Sequence, residues 1–415
     1  MRKLNLTEDW AVVVLGFLII AIALAGLVVP VPSFGWKNSE ELFSNVLVGG
    51  NLFKILVQFL VLLTVAILGA FVTGRNVKNI AVTFCAIFVL TLFALLLAGN
   101  KTVKEYNLEA VIFSLLIGLI IGNVFKLPQW FRSSITSELF VKIGLVLLGT
   151  SIIFSDILKA GALGLAQALV VVLAVWYFAY WVCKKMKIDE EMTMMLSSAV
   201  SICGVSAAIA TSGAIKGDNK KLSYIISLVL IVAIPMMIIM PYLAKYMGLS
   251  QAVTGAWLGG SIDTTGAVVA SGSLVGEEAL KISSIVKFAQ NVLLGIAAFA
   301  ISVYWTYTGH FNKSGIDEKP TLKVIWDRFP KFVVGFVLAS LLFSFVIPVQ
   351  AVGEVKDSLK SVQGLWFALA FTAIGLETKF SDLIKQENRK PLYAFLIAQL
   401  FNILVTLLIA WLLFR

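Results

Sequence analysis

The sequence predicts an all-α polytopic membrane protein with about eleven transmembrane helices, two further segments that break or re-enter, and inverted internal repeats. Three observations predict it. Of the 415 residues, 60% are hydrophobic and only 13% charged, about half the charged share of a soluble domain, and the mean hydropathy is +0.96. Apolar runs close to the ~20 residues that cross a bilayer recur along the whole chain. Among them lie "SICGVSAAIATSG" (201–213) and "GGSIDTTGAVVASG" (259–272), where small, hydroxylated, helix-weakening residues replace the apolar ones.

In chain order the apolar runs place spans at roughly 11–30, 51–73, 79–98, 108–125, 138–154, 160–183, 222–246, 278–307, 327–347, 361–377 and 391–414. The first follows Arg2 and Lys3 and ends in "VVPVPSFGW" with no small-residue cleavage site, so it reads as a retained helix. The two small-residue segments fall near 192–215 and 250–273. The expected organisation is an N-terminal three-helix extension over 1–105 and an inverted-repeat core over 106–415 that contains both broken segments.

Charge orients the spans. Basic clusters stand at Arg2/Lys3, Arg75/Lys78, Lys126/Arg132, Lys184/Lys185/Lys187, Lys216/Lys220/Lys221, the 313–331 loop and Lys379/Lys385/Arg389/Lys390. If both small-residue segments cross fully, the 216–221 cluster falls outside. If both dip in and return, every cluster is cytoplasmic, as the positive-inside rule favours. We therefore read the first as re-entrant from inside and the second as re-entrant from outside, with two fully crossing, interrupted helices as the alternative. The frame is a bacterial inner (plasma) membrane with a cytoplasmic N-terminus. Irregular backbone at membrane depth is tolerated only where protein buries it or it meets a watery cavity, so both segments line something wet. The net charge of +10 is the same topological signal, and nucleic acid is not an expected partner.

Cys85, Cys183 and Cys203 share no metal-ligand or disulfide spacing. The one histidine, His310, lies in a polar loop without histidine companions, so no transition-metal site and no cofactor is expected.

Two self-similarities run through the chain. At an offset of 226, "GTSIIFSDILK" (149–159) lies over "GLETKFSDLIK" (375–385), matching Gly149/Gly375, Phe154/Phe380, Ser155/Ser381, Asp156/Asp382 and Lys159/Lys385. The preceding Ser114-Leu115-Leu116 aligns with Ser340-Leu341-Leu342. An odd number of crossings separates the copies, so they run in opposite directions. Inverted repeats around interrupted helices are the mark of secondary transporters. The "FSD" residues themselves read as helix starts, with serine capping and aspartate facing free N–H groups. At an offset of 60, Ser201-Ile202 pairs with Ser261-Ile262, Ala207 with Ala267, Ala210 with Ala270 and Thr211 with Ser271.

Close helix packing explains isolated pairs of small residues. It explains less well a glycine flanked by serine and cysteine in one copy and Asp-Thr-Thr in the other. A helix broken at Gly204, or at Thr264–Gly266, would present a positively polarised N-terminus suited to an anion. Ser201, Cys203, Ser206, Thr264, Thr265 and Ser271 complete two half-sites of one polar pocket. Asp263, a carboxylate in an apolar segment, is a functional hypothesis by default, able to hold Na⁺, carry a proton or pair with a lysine. Lys142 and Lys287 are the candidate partners. Lys142 also fits a snorkelling role, whereas Lys287, Gln290 and Asn291 make one polar helix face at i, i+3 and i+4.

With these motifs together the chain resembles the YeiH-type family of sulfate-exporter-like membrane proteins, the uncharacterised membrane family UPF0324. That family is related to the bile-acid, arsenite and riboflavin transporter superfamily. The matching elements are "SLLIGLIIGN" (114–123), "KIGLVLLGTSIIFSDI" (142–157), "SSAVSICGVSAAIAT" (197–211), "GGSIDTTGAVVASG" (259–272), "SIVKFAQNVLLG" (284–295) and "FTAIGLETKFSDL" (371–383). The resemblance covers about 110–415 and implies an inverted-repeat scaffold moving sulfite, sulfate or sulfonate-like anions. Two departures matter. The family pattern has a His-Glu pair where this chain has Asp263-Thr264, and an arginine where it has Gln290. Losing the arginine removes the favoured bidentate partner of a divalent oxyanion, and losing the histidine removes a pH-sensitive group.

The expected function is a secondary transporter that moves a small anion by alternating access in the lipid bilayer, with Na⁺ or H⁺ coupling at Asp263 and room for a homodimer. There is no GxxxxGK[ST], HExxH or GxSxG, so an enzyme is not expected. An anion channel and a membrane-embedded enzyme are the alternatives.

Overall fold

The computed structural model describes residues 6–105, 110–307, 326, 329–378 and 389–415. The main helices, in chain order, begin with α1 (Glu8–Leu24), α2 (Gly49–Val72), α3 (Val77–Ala98), α4 (Ala110–Val124) and α5 (Ser137–Leu148). Then come α6 (Phe154–Lys185), α7 (Glu190–Ser198), α8 (Val205–Ile215), α9 (Asn219–Tyr246) and α10 (Gln251–Ser261). The last are α11 (Thr265–Val275), α12 (Glu277–Tyr307), α13 (Lys331–Leu341), α14 (Val349–Glu377) and α15 (Lys390–Phe414). Each expected span has its helix, and eight helical stretches among the described residues are long and apolar enough to cross a bilayer. The chain is a polytopic all-α membrane protein. It divides into two compact units, Met1–Ile157 with Lys331–Lys379, and Leu158–Pro330 with Phe380–Arg415.

The first unit holds α1–α5, α13 and α14. Its core carries an aromatic cluster in which Phe84, Phe140 and Trp366 pack edge-to-face or tilted, with centroids 5.4–6.3 Å apart. Backbones touch where side chains vanish. A Cβ on Gly118 of α4 would overlap the Thr372 carbonyl of α14, and one on Gly375 would stand 2.5 Å from the Leu115 carbonyl oxygen. Likewise a Cβ on Gly149, after α5, would overlap the Phe336 carbonyl of α13. Small residues allow this approach between membrane helices. In the middle of α5, Lys142 carries an Nζ that contacts Asp9 Oδ1 (2.9 Å), Glu138 Oε2 (3.0 Å) and Glu8 Oε1 (3.3 Å). This lysine therefore belongs to a three-carboxylate cluster of its own unit and is not the partner of Asp263. Ser137 Oγ donates to Glu377 Oε2 at 2.6 Å.

The "FSD" copy at 154–156 does open a helix, with Asp156 in its first turn, where a carboxylate suits the dipole. The N–H of Phe154, however, donates to Ser344 Oγ at 3.0 Å, so Ser155 sits inside the turn instead of capping it. The copy at 380–382, Lys379, Lys385 and His310 lie outside the described residues.

The second unit holds most of α6, then α7–α12 and α15. Both small-residue segments are helical hairpins. The first runs from α7 through a π-helical turn (Ala199–Cys203) into α8. Its two ends meet, because Lys221 Nζ, in the first turn of α9 after the short link from α8, contacts Asp189 Oδ1 (2.6 Å) and Glu191 Oε2 (3.1 Å) at the start of α7. The second runs from α10 to α11. Its ends also meet: the Ala279 N–H donates to Gln251 Oε1 at 3.4 Å, and a Cβ on Gly276 would stand 2.5 Å from the same Gln251 oxygen. Each segment thus returns to the end it started from. Helix α9, 28 residues long and so about 42 Å, separates the two bases. The hairpins therefore enter from opposite ends and point at each other.

Part of their small-residue content is packing. Added Cβ atoms at Gly255 and Gly259 of α10 and Gly272 of α11 would press on Ala279, Ser283 and Val286 of α12 at 2.5–3.1 Å. Helices α8 and α11 begin and end 60 residues apart, the offset of the self-similarity.

Candidate functional site

The two tips meet. The chain turns at Gly204 with φ +59° and ψ −109°, a combination that only glycine adopts without strain. A Cβ there would stand 2.5 Å from Val229 Cγ1, 3.0 Å from Asp263 Cβ and 3.2 Å from the Asp263 carbonyl oxygen. In the second hairpin the break lies at Ile262–Thr264, slightly earlier than Thr264–Gly266, and α11 starts at Thr265.

Each break ends one helix and starts another, and the two ends are treated differently. A helix C-terminus leaves carbonyls unsatisfied and partially negative. Here side chains from α12 and α15 donate to them. Lys287 Nζ donates to the Ile202 carbonyl (2.8 Å) and to Gln290 Oε1 (2.8 Å). Gln290 Nε2 reaches the carbonyls of Ser201 (2.9 Å) and Gly260 (3.3 Å) and so ties one tip to the other. Gln399 Nε2 donates to the Ser261 carbonyl (2.7 Å). Asn402 Nδ2 donates to those of Val200 (3.0 Å) and Ser261 (3.3 Å), while Thr406 Oγ1 donates to Asn402 Oδ1.

The opposite ends, the N-termini of α8 and α11, point their positive poles at the same junction. Neither carries an acidic residue in its first turn. Helix α8 has no side-chain cap, and α11 has only Thr264 Oγ1 accepting from Ala267 N–H at 3.3 Å. Ser206 is exposed and Thr264 and Thr265 half-buried, so these ends are reachable.

Asp263 and Lys287 lie just behind, 2% and 1% exposed. They form no ion pair within 4 Å, and Asp263 Oδ2 has no hydrogen-bond partner. Asn291 reaches Thr265 Oγ1 through Nδ2 at 3.4 Å, leaving its own Oδ1 unpartnered. The junction thus gathers Ser201, Gly204, Asp263, Thr265, Lys287, Gln290 and Asn291, with Cys203 buried beside Gly204. Ser201 contributes its carbonyl, since its hydroxyl donates to Ser197 of its own helix at 2.7 Å. Ser271 stands further along α11 with its hydroxyl on the Val268 carbonyl at 3.0 Å.

Gln399, Asn402 and Thr406 were missed from the sequence. Their signal was present: in "IAQLFNILVT" (397–406) they form a polar stripe at i, i+3 and i+7 of an otherwise apolar helix.

A family model described as Conserved hypothetical protein 698 matches residues 82–394. A UPF0324 membrane protein from Rhodopirellula baltica is 39% identical over 367 residues, which is 86% of this chain and 67% of that one. A UPF0324 membrane protein from Nitratidesulfovibrio vulgaris is 35% identical over 82% of this chain, which spans only 60% of the relative's length. One from Nitrosomonas europaea is 28% identical over 99% of this chain and 96% of its own. Among solved structures, the sodium proton antiporter MjNhaP1 from Methanocaldococcus jannaschii overlays 80% of the chain at 11% identity with a TM-score of 0.20.

Proposed function

Since the chain belongs to the UPF0324 family of membrane proteins, we propose that it is a secondary transporter carrying a small anion across the bacterial inner membrane by alternating access. Sulfite, sulfate, sulfonates and small organic acids are the substrate class. One observation carries this: two hairpins that enter from opposite ends of α9 meet tip to tip over two buried charged side chains, Asp263 and Lys287. The anion sits at the tips. Two helix N-termini supply converging N–H groups and partial positive charge, Ser206 and Thr265 supply hydroxyls, and Lys287 supplies a fixed charge behind them. Opposed hairpins give alternating access a physical basis, because either side can reach the pocket through movement around one tip while the other stays shut.

The offset of 60 supports an inverted repeat, since it maps hairpin plus long helix (α7–α9) onto hairpin plus long helix (α10–α12). The offset of 226 is supported by Gly149 packing on α13 and Gly375 packing on α4. The N-terminus is cytoplasmic in this account, with the lysine-rich base of the first hairpin on the same side.

Counterflow in proteoliposomes tests the proposal. Vesicles preloaded with unlabelled sulfite, sulfate, thiosulfate, taurine or a C4 dicarboxylate should accumulate the labelled species transiently, with saturation. Dissipative, non-saturating flux would point to a channel, and appearance of a transformed product to an enzyme.

A further inference from the structure

We propose that the tip of the second hairpin holds a monovalent hard cation of the Na⁺ class, bound by Asp263 Oδ2 with the side-chain carbonyl oxygens of Asn291 and Gln399. The proposal deepens the transport reading by naming the co-substrate, and it rests on that reading only for its purpose.

The observation is a set of acceptors without donors. Asp263 Oδ2, Asn291 Oδ1 and Gln399 Oε1 are all buried and unpartnered, where such atoms are few in a native protein. Two of these side chains are tied to the segment around Asp263. Asn291 is held to Thr265 and Gln399 to Ser261, the residues two positions either side of Asp263. The orientation of Gln399 is fixed, because its other end touches the Ser261 carbonyl, which can only accept. Its free atom is therefore the oxygen. Lys287 does not fill the gap, as its ammonium is spent on Ile202 and Gln290.

A proton on Asp263 would create one donor and serve one further acceptor. A cation serves several oxygens at once and neutralises the carboxylate. Hard cations take oxygen ligands, and divalent ions take several carboxylates. Asp263 is the one carboxylate in this set, Lys287 adds a nearby positive charge, and among the described residues no group of three Asp, Glu, His or Cys side chains is placed to hold a metal ion. With one carboxylate and a lysine close by, a divalent ion is disfavoured more strongly than a monovalent one.

The test uses the full chain in detergent. Thermal unfolding is followed by tryptophan fluorescence in NaCl, LiCl, KCl or choline chloride at constant ionic strength, at pH 6 and pH 8, with no anionic substrate added. Na⁺ should raise Tm saturably over choline in the wild type, and Asn291→Ala and Asp263→Asn should each lose that rise, while Asp218→Asn keeps it. If Asp263→Asn does not fold, the wild type and Asn291→Ala still decide. A Tm that ignores Na⁺ but rises on acidification overturns the proposal in favour of a proton site. A Na⁺ effect surviving in Asn291→Ala places the ion elsewhere and also overturns it. Na⁺ binding without anion counterflow would leave this site standing and remove the transport reading. Anion counterflow in a protein that Na⁺ does not stabilise would do the reverse.

Discussion

Adding one methyl group at Gly204 should unlock the junction. The residue holds φ +59° and ψ −109°, and strain of that kind costs about 1–3 kcal/mol for a non-glycine residue. The new Cβ would also meet Val229 Cγ1 at 2.5 Å and Asp263 Cβ at 3.0 Å. Overpacking of a filled interior adds about 1–3 kcal/mol, so Gly204→Ala should lose roughly 2–6 kcal/mol in all. Gly161 is the control. It lies inside α6, where a Cβ would find only Ile285 Cγ2 at 3.9 Å, and alanine should gain about 0.5–1 kcal/mol there. Thermal unfolding of both variants in detergent reads the difference. Gly204→Ala should fall by several degrees and lose any Na⁺-dependent stabilisation, because the methyl pushes on Asp263. Equal melting of the two variants would refute the tip-to-tip packing.

Lys287→Met removes a buried charge beside Asp263 and leaves the Ile202 carbonyl without its donor. Losing a hydrogen-bonded charged donor and leaving its buried acceptor unsatisfied costs about 1–3 kcal/mol, and the double variant with Asp263→Asn should recover part of it in unfolding measurements; a fully additive double variant would mean the two charges do not sense each other. Gln399→Leu removes the shorter of the two bonds to the Ser261 carbonyl, leaving only Asn402 Nδ2 at 3.3 Å, and should cost about 0.5–1.5 kcal/mol, checked by the same melt, with an unchanged Tm ruling out the strut role. Asp218 accepts from the N–H groups of Lys220 and Lys221 at the start of α9, and these bonds, that of Lys220 foremost, hold its carboxyl below the ordinary range. Its contribution is therefore complete above the ordinary carboxylate range and fades as pH falls through the lowered value. Asp218→Asn should flatten that acid limb of the Tm–pH curve, and an unaltered limb would contradict the capping role.

The spans were legible because length and hydropathy in a bilayer leave a chain few options, and each of them formed a helix. The hairpins were legible for a different reason. The lysines at 184–187 and 216–221 can share one side only if the segment between them returns, and the contacts of Lys221 with Asp189 and Glu191 are that return. Gly204 announced its own break, whereas the second break fell slightly earlier than expected because Thr264, and not a glycine, serves as the cap of α11. Partners distant in sequence stayed hidden. Lys142 reads from the sequence as a partner for Asp263 or a snorkelling side chain, whereas α1 brings Glu8 and Asp9 to it. Gln399 and Asn402 sit some 140 residues beyond the tip they support, and a polar stripe says that a helix is buried on one face without saying against what.

The central claim is that two hairpins enter from opposite faces of the membrane and meet. In a background lacking Cys85, Cys183 and Cys203, single cysteines at Glu190, Lys216, Gln251 and Glu278 can be labelled with a membrane-impermeant maleimide from either side. Glu190 and Lys216 should react from one side only, and Gln251 and Glu278 from the other side only. Labelling of Glu190 and Lys216 from opposite sides would mean that the first segment crosses the bilayer, and the meeting of two tips would be lost with it.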